Sequence, residues 1–259
     1  MRAILSAFSY NDHITPDFIR NDLHIVVNYL MSSLKVDPKR IYILTDIPVQ
    51  EYKSDELNTI TSGNVVEYFK EIGNYIHIKG RQEFVGSLTQ WLNSFTKCKL
   101  FMYFTGHAIP NGFLIPKKDD YSPLPVLVFT NLISNLDSSV ELFIVLDCCY
   151  AETIIPLKVV HTINGDKYNS MNSSIKCKII ILGSSLSNEK SGFHQGNKCS
   201  LFTLHCFNFL SNLNNTPFYH FLNIGWRINR YRVRYRKPRQ NVFISTNSER
   251  GFFPWIKLK

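Results

Sequence analysis

The chain has 259 residues, of which 44% are hydrophobic and 19% charged. That balance excludes general disorder and suits one large α/β domain with a full core. Net charge is +9 with a pI near 9.2, and no apolar run reaches the ~18 residues that would span a bilayer.

The opening stretch, Met1 to Phe8, is too short in its apolar part for a signal sequence and has no A-x-A cleavage pattern. Ala3 to Ser9 is therefore expected to be the first buried strand, followed by a loop from Asn11 to Thr15. Thr15-Pro16-Asp17 supplies an N-cap, a proline for the first turn and an acid near the positive end of the dipole. Apolar residues then recur at Ile19, Leu23, Val26, Val27, Leu30 and Leu34, a helical spacing that Asp37-Pro38 ends. Arg40 to Thr45 reads as a second strand, which makes the opening a β–α–β unit.

The stretch from Ile47 to Gly63 is polar and irregular. Val65 to Ile72 and Glu83 to Phe95 show helical periodicity, and Lys99 to Phe104 is the third strand. A short strand pair is expected near Gly112 to Ile115, a short helix over Asn131 to Leu136, and the fourth strand over Val140 to Leu146. Ala151 to Ile175 shows little periodicity and reads as a mobile loop. Lys178 to Leu182 is a fifth strand and Gly183 to Lys198 a polar loop. Ser200 to Leu213 and Pro217 to Tyr235 are helices, and Asn241 to Ser245 is the last strand. Strands alternate with helices throughout, so the expected class is α/β with a mostly parallel sheet.

The six cysteines stand at 98, 148, 149, 177, 199 and 206. Their spacing is not that of a stapled secreted domain, and the adjacent Cys148 and Cys149 are poorly placed to bond each other. No C-x-x-C pair points to zinc. A reducing, cytoplasmic setting fits this usage.

Two strings carry chemistry, and each closes an apolar strand: Tyr103-Phe104-Thr105-Gly106-His107-Ala108 and Asp147-Cys148-Cys149-Tyr150-Ala151. Strand ends of a parallel sheet face one crevice, so residues distant in sequence meet there. A thiolate is the reactive form of cysteine, and a histidine is its usual base. The strand-to-loop turn offers a backbone N–H at Cys149 for a developing oxyanion, and the turn at His107 offers a second at Gly106 or Ala108.

These strings resemble the histidine and cysteine motifs of the caspase-like cysteine peptidases. The likeness is strongest to the metacaspase branch, with its Y-S-G-H-G and D-[SC]-C-[HY]-[SA] patterns. The resemblance implies His107 as general base and Cys149 as nucleophile, with Cys148 at a position that is not the nucleophile. Asn21-Asp22 resembles the family's N-D element after the first strand. Arg239-Gln240-Asn241 resembles the entry to its final strand. It implies a three-layer sandwich whose central sheet is six-stranded and mostly parallel, formed by a single domain over 1–259. That domain divides into a large portion (1–150), a mobile loop (151–176) and a small portion (177–259). Asp22, Thr105 and Asp147 match pocket residues, and two carboxylates there imply cleavage after Lys or Arg. Lys158 and Lys167 are then candidate self-processing sites in the loop.

The chain departs from the family pattern in three places. Ala108 replaces the usual glycine and Tyr150 the commoner histidine. Phe129-Thr130-Asn131-Leu132 stands where many metacaspases carry calcium-binding acids. Asp119 and Asp120 lie nearby, but a hard cation takes ~6–8 oxygens, so no calcium requirement and no other metal or cofactor is expected. Metacaspases are usually monomeric, which implies a monomer acting on protein or peptide substrates. The alternatives are a catalytically inactive caspase-like regulator or decoy and a nucleic-acid binder. The latter rests on the basic run Arg227, Arg230, Arg232, Arg234, Arg236, Lys237 and Arg239, with Tyr231 and Tyr235 interleaved. Such a cluster attracts nucleic acid or an acidic partner when it is more than a solvated helix face.

Overall fold

The computed structural model describes residues 1–10, 14–50, 57–117, 120–155, 157–169, 175–194, 196–212 and 218–247. Asn11 to His13 of the expected first loop, Asp119, and Pro217 at the expected start of the basic helix lie outside the described residues.

Runs of Val, Ile, Leu and Phe bounded by polar turns form strands buried on both faces. They are β1 (Arg2–Ala7), β2 (Ile41–Thr45), β4 (Lys99–Thr105), β8 (Glu141–Asp147) and β11 (Lys178–Gly183). With β3 (Tyr75–His77) they pair in parallel in the order β11-β8-β4-β1-β2-β3. On the β11 side the sheet continues antiparallel through β14 (Phe243–Thr246), β9 (Val159–Thr162) and β10 (Gly165–Tyr168).

Among the described residues the sheet therefore has nine strands rather than the expected six. The six expected strands are all present. The added ones are β3, only three residues long, and the β9–β10 hairpin. That hairpin stands within 151–176, where a mobile loop was expected. Its turn is Ile163-Asn164 with Gly165 at φ +112°. An Asn-Gly pair is a strong hairpin signal, but the flanking strands are short and β10 is exposed throughout, so no apolar alternation announces them.

Helices cover both faces. α1 (Pro16–Asn28) starts at Pro16 with Asp17 in its first turn, as the sequence dictates. α2 (Val65–Glu71), α3 (Arg81–Asn93), α4 (Val126–Ser134), α5 (Leu201–Ser211) and α6 (Ile224–Arg234) follow. Alternate residues of β4 show the layering, since neighbours on a strand point to opposite faces. Phe101 and Tyr103 pack on Phe207 of α5, at 6.3 and 5.9 Å between ring centroids. Phe104 packs instead on Phe8, which meets Phe84 of α3 at 5.6 Å. The result is the expected three-layer sandwich.

Two helices differ from expectation. α4 begins at Val126, before the expected Asn131, because Pro125 caps a Val-Leu-Val-Phe run that by composition suits a strand. The basic helix is split into a 3-10 turn (Phe218–Asn223) and α6. Beyond His107 the chain forms a small antiparallel sheet of β5 (Ala108–Ile109), β6 (Gly112–Lys117) and β7 (Asp120–Pro125). Among the described residues, no helix is long and apolar enough to cross a membrane.

Candidate active site

The order of the parallel strands reverses beside β1: the chain runs outward through β2 and β3, then returns to place β4 and β8 on the other side. Crevices form at the carboxyl ends of strands flanking such a switch. There β4 and β8 end in register, with Thr105 opposite Asp147. His107 and Cys149 each stand two residues past this last pair, so the register sets them level at one edge of the sheet.

Gly106 makes the turn into His107. Its φ is +154°, and a Cβ there would strike the hydroxyl of Tyr10, so the position takes glycine for two separate reasons. Tyr10 follows β1, where the Asp46 carboxylate accepts the backbone N–H groups of Ser9 and Tyr10 at 2.7 and 2.6 Å. The Tyr10 hydroxyl accepts the N–H of His107 at 2.6 Å and donates to the carbonyl of Leu114 at 2.9 Å. Its ring lies 4.6 Å from the imidazole at 34°. Burial holds the phenol well above its usual pKa, so it stays a neutral donor.

Cys148 and Cys149 have different surroundings. Cys148 is buried, and burial raises its thiol pKa well above the ordinary range. Cys149 is half-buried. Burial raises its pKa as well; the Ser191 N–H and the charges of Lys190 and Arg232 lower it, and the Asp147 carboxylate raises it. The net shift is upward, so at neutral pH the thiol is protonated and needs a base to become a nucleophile.

Tyr150 follows in the left-handed region at φ 55°, a conformation that costs a non-glycine residue roughly 1–2 kcal/mol. Its N–H donates to Glu189 O at 3.0 Å, and those of Cys148 and Ala151 donate to Ser184 Oγ and Ser185 Oγ, both at 3.1 Å. Among the described residues the Cys149 N–H has no partner. Of the three expected oxyanion donors, Gly106 is the one already engaged, through its N–H to Asp147 O at 3.3 Å. Ala108 is buried at the start of β5.

The three expected pocket residues come together. Asp22, Thr105 and Asp147 are all buried. Thr105 Oγ1 donates to Asp22 Oδ2 at 3.3 Å, and the Ser200 N–H to Oδ1 at 2.8 Å. Asp147 accepts Ser191 Oγ at 2.8 Å on one oxygen, and the N–H and hydroxyl of Thr203 at 3.0 and 2.6 Å on the other. Burial and then the Asp147 charge push the Asp22 carboxyl well above its usual range; burial likewise raises Asp147.

The strand pair β12 (Phe193–His194) and β13 (Cys199–Ser200) lies against the start of α1 and covers these acids. Phe193 packs on Phe18, and Asn21 Nδ2 donates to Lys198 O at 2.8 Å.

Sequence reasoning missed Tyr10, Ser191, Gln240 and Arg232. The Arg232 guanidinium is buried and donates to Gln240 Oε1 at 2.7 Å and to Pro238 O. Gln240 Nε2 donates to Ser184 O at 2.9 Å and Ser191 Oγ at 3.3 Å. The basic run is thus not uniformly solvated: Arg232 turns inward, while Arg227, Arg230, Arg234, Arg236, Lys237 and Arg239 are exposed. Tyr231 stacks on His194. Lys158 and Lys167 flank and occupy the hairpin, and Lys167 pairs with Glu152 at 2.9 Å. Phe129, in the segment aligned with calcium-binding acids, is buried in α4, and Asp120 is exposed in β7. Among the described residues, no group of three or more His, Cys, Asp or Glu is placed to hold a metal ion.

No protein-family model matches the chain, and no curated protein matches it significantly. Solved structures do match. Caspase-1 from Spodoptera frugiperda superposes with a TM-score of 0.51 at 11% identity, covering 94% of this chain and 85% of its own. Protein GSU0716 from Geobacter sulfurreducens superposes with a TM-score of 0.51 at 10% identity, covering 96% and 95%. At these identities the likeness is one of fold, and the fold is caspase-like.

Proposed function

We propose that the chain is a cysteine endopeptidase of metacaspase type that cuts after Lys or Arg. One observation carries the proposal. The Thr105–Asp147 register sets His107 and Cys149 level on adjacent parallel strands, beside a buried pair of carboxylates. His107 takes the Cys149 proton, the thiolate attacks the scissile carbonyl, and the imidazolium returns the proton to the leaving amine. Water then hydrolyses the acyl-enzyme. The unpaired Cys149 N–H faces the developing oxyanion, with Ala108 the second candidate donor and Gly106 needing to release Asp147 first. The buried Cys148 cannot reach a substrate, which favours Cys149 as nucleophile.

Asp22 and Asp147 raise each other's cost of ionisation, and an incoming Lys or Arg side chain relieves it. For that, β12–β13 must move off the acids. Cleavage at Lys158 or Lys167 likewise requires the β9–β10 hairpin to open. Catalysis by this route needs no calcium, and its dependence on a free thiol suits a reducing, cytoplasmic setting. A regulator or decoy that keeps the fold is the second reading, favoured by the covered acids. Hydrolysis of fluorogenic peptides ending in Arg, Lys or Asp, with and without calcium, separates the two. The peptidase reading expects cleavage after Arg and Lys without calcium and none in Cys149→Ala; no cleavage under reducing conditions supports the regulator.

A further inference from the structure

A second concave surface lies away from the carboxylate pair. It is a groove of about 890 Å³ between α6 and the Ile163-Asn164 turn of the β9–β10 hairpin, closed below by the lead-in to β14. Trp226, Val233 and Ile163 present apolar side chains to it, Trp226 being 73% exposed and Val233 64%. Arg227, Arg230 and Arg239 place three guanidinium groups around it, and among the described residues no carboxylate lines it. Exposed Trp and Val beside arginines with no carboxylate partner among the described residues mark interaction surfaces, because soluble proteins rarely leave such a combination uncovered.

We propose that this groove docks an extended acidic peptide segment, with an apolar side chain against Trp226 and Val233 and carboxylates on Arg227, Arg230 and Arg239. Guanidinium forks pair with carboxylates two bonds at a time. The charge argues against two other occupants. A second copy of a chain with net charge +9 is repelled. The chain's own C-terminal sequence, 248–259, holds Arg250, Lys257 and Lys259 against Glu249 alone. Single-stranded nucleic acid also seeks arginines, but it binds by stacking successive bases on aromatic platforms, and among the described residues this groove has one aromatic side chain, Trp226.

The groove also reaches the catalytic loop. Asn241 lines it and donates its N–H to Glu189 Oε2 at 2.7 Å, and Glu189 O accepts the N–H of Tyr150, next to Cys149. A docked segment touching Asn241 would therefore lie two residue contacts, through Glu189, from Tyr150 beside the nucleophile.

The test is direct binding, so it stands or falls apart from the chemistry of Cys149. A fluorescein-labelled peptide of twelve residues, Asp and Glu around a central Leu-Phe pair, is titrated with the full chain and followed by anisotropy. Three further probes are run: the same peptide with Lys for the acids, with Ser-Ser for Leu-Phe, and a twelve-nucleotide oligothymidylate. The acidic peptide is expected to bind. The Lys peptide should not, and loss of Leu-Phe should weaken binding about tenfold or more. Arg227→Glu with Arg230→Glu, and separately Trp226→Ala, should each weaken it by about tenfold. These positions are exposed, and an unchanged circular dichroism spectrum and melting temperature confirm that the variants fold. Unaltered affinity in the folded variants overturns the proposal, as does oligothymidylate binding more tightly than the acidic peptide.

Discussion

Tyr10→Phe isolates a single hydroxyl that fixes the loop of the proposed base. In the wild type that oxygen accepts the His107 N–H at 2.6 Å and donates to the Leu114 carbonyl at 2.9 Å. Removing it takes one hydrogen bond from each of these two backbone groups at a part-buried site, at roughly 1–3 kcal/mol each. The expected loss is about 2–6 kcal/mol, a large share of the ~5–15 kcal/mol that a domain has in total. The imidazole also loses the anchor that sets its height above the sheet. Misplacing a catalytic group by about 1 Å costs on the order of 100-fold in rate. Urea unfolding followed by circular dichroism measures the first effect, and turnover of an Arg-terminated peptide the second. Tyr75→Phe is the control: its hydroxyl, on β3 and three strands from β4, donates to Ile47 O at 2.9 Å and meets His77 Nδ1 at 3.0 Å, and its loss should cost about 1–2 kcal/mol with no change in turnover. Gly106→Ala supplies a cycle, because its new Cβ meets the Tyr10 hydroxyl. In the Tyr10→Phe background the hydroxyl contact is gone, and the φ penalty and two ring-carbon contacts at 3.2 Å remain, so the combined loss should fall short of additive. A Tyr10→Phe protein within ~0.5 kcal/mol of wild type and equally active would refute this account of the loop.

Two further outcomes follow from the same structure. Burial and the Asp147 charge raise the Asp22 pKa above its unfolded value, so the folded chain holds that proton more tightly. The associated stability is complete below the ordinary carboxyl range and is lost as pH rises towards the raised value. Asp22→Asn should therefore gain on wild type in melting temperature as pH climbs from 4 to 8; a constant or shrinking difference contradicts the buried-pair picture. The last strand, β14, is paired on both sides, to β11 and to β9, so it offers no free edge to a second copy of the chain. Sedimentation should report a 30.1 kDa monomer, and a dimer that survives dilution would contradict the assignment.

Much of the fold was legible because its central strands are buried on both faces and appear as continuous apolar runs, as in Val140 to Leu146. The exceptions have physical reasons. β10 is exposed along its length and β3 is three residues long, so neither carries a hydrophobic pattern. The apolar start of α4 suits a strand as well as a helix. His107 and Cys149 were readable because reactive residue types closed two such runs, and Asp22, Thr105 and Asp147 through resemblance. Tyr10, Ser191, Gln240 and Arg232 were not, because their roles arise only from contacts between distant parts of the chain. Tyr10 meets His107 across β1 and β4, and Gln240 meets Ser191 across two loops. The inward turn of Arg232 was hidden in a run of arginines that all look alike in sequence.

The central claim is that Cys149 is a nucleophile activated by His107 beside a pocket for a basic residue. An Arg-terminated peptidyl acyloxymethyl ketone, with peptide mapping by mass spectrometry, tests it most directly. The account predicts one adduct, on Cys149 and not on Cys148, formed without calcium and lost in His107→Ala. It also predicts slow labelling by the Asp-terminated analogue. Labelling of another cysteine, or labelling of Cys149 that is indifferent to His107 and to the terminal residue, would contradict it.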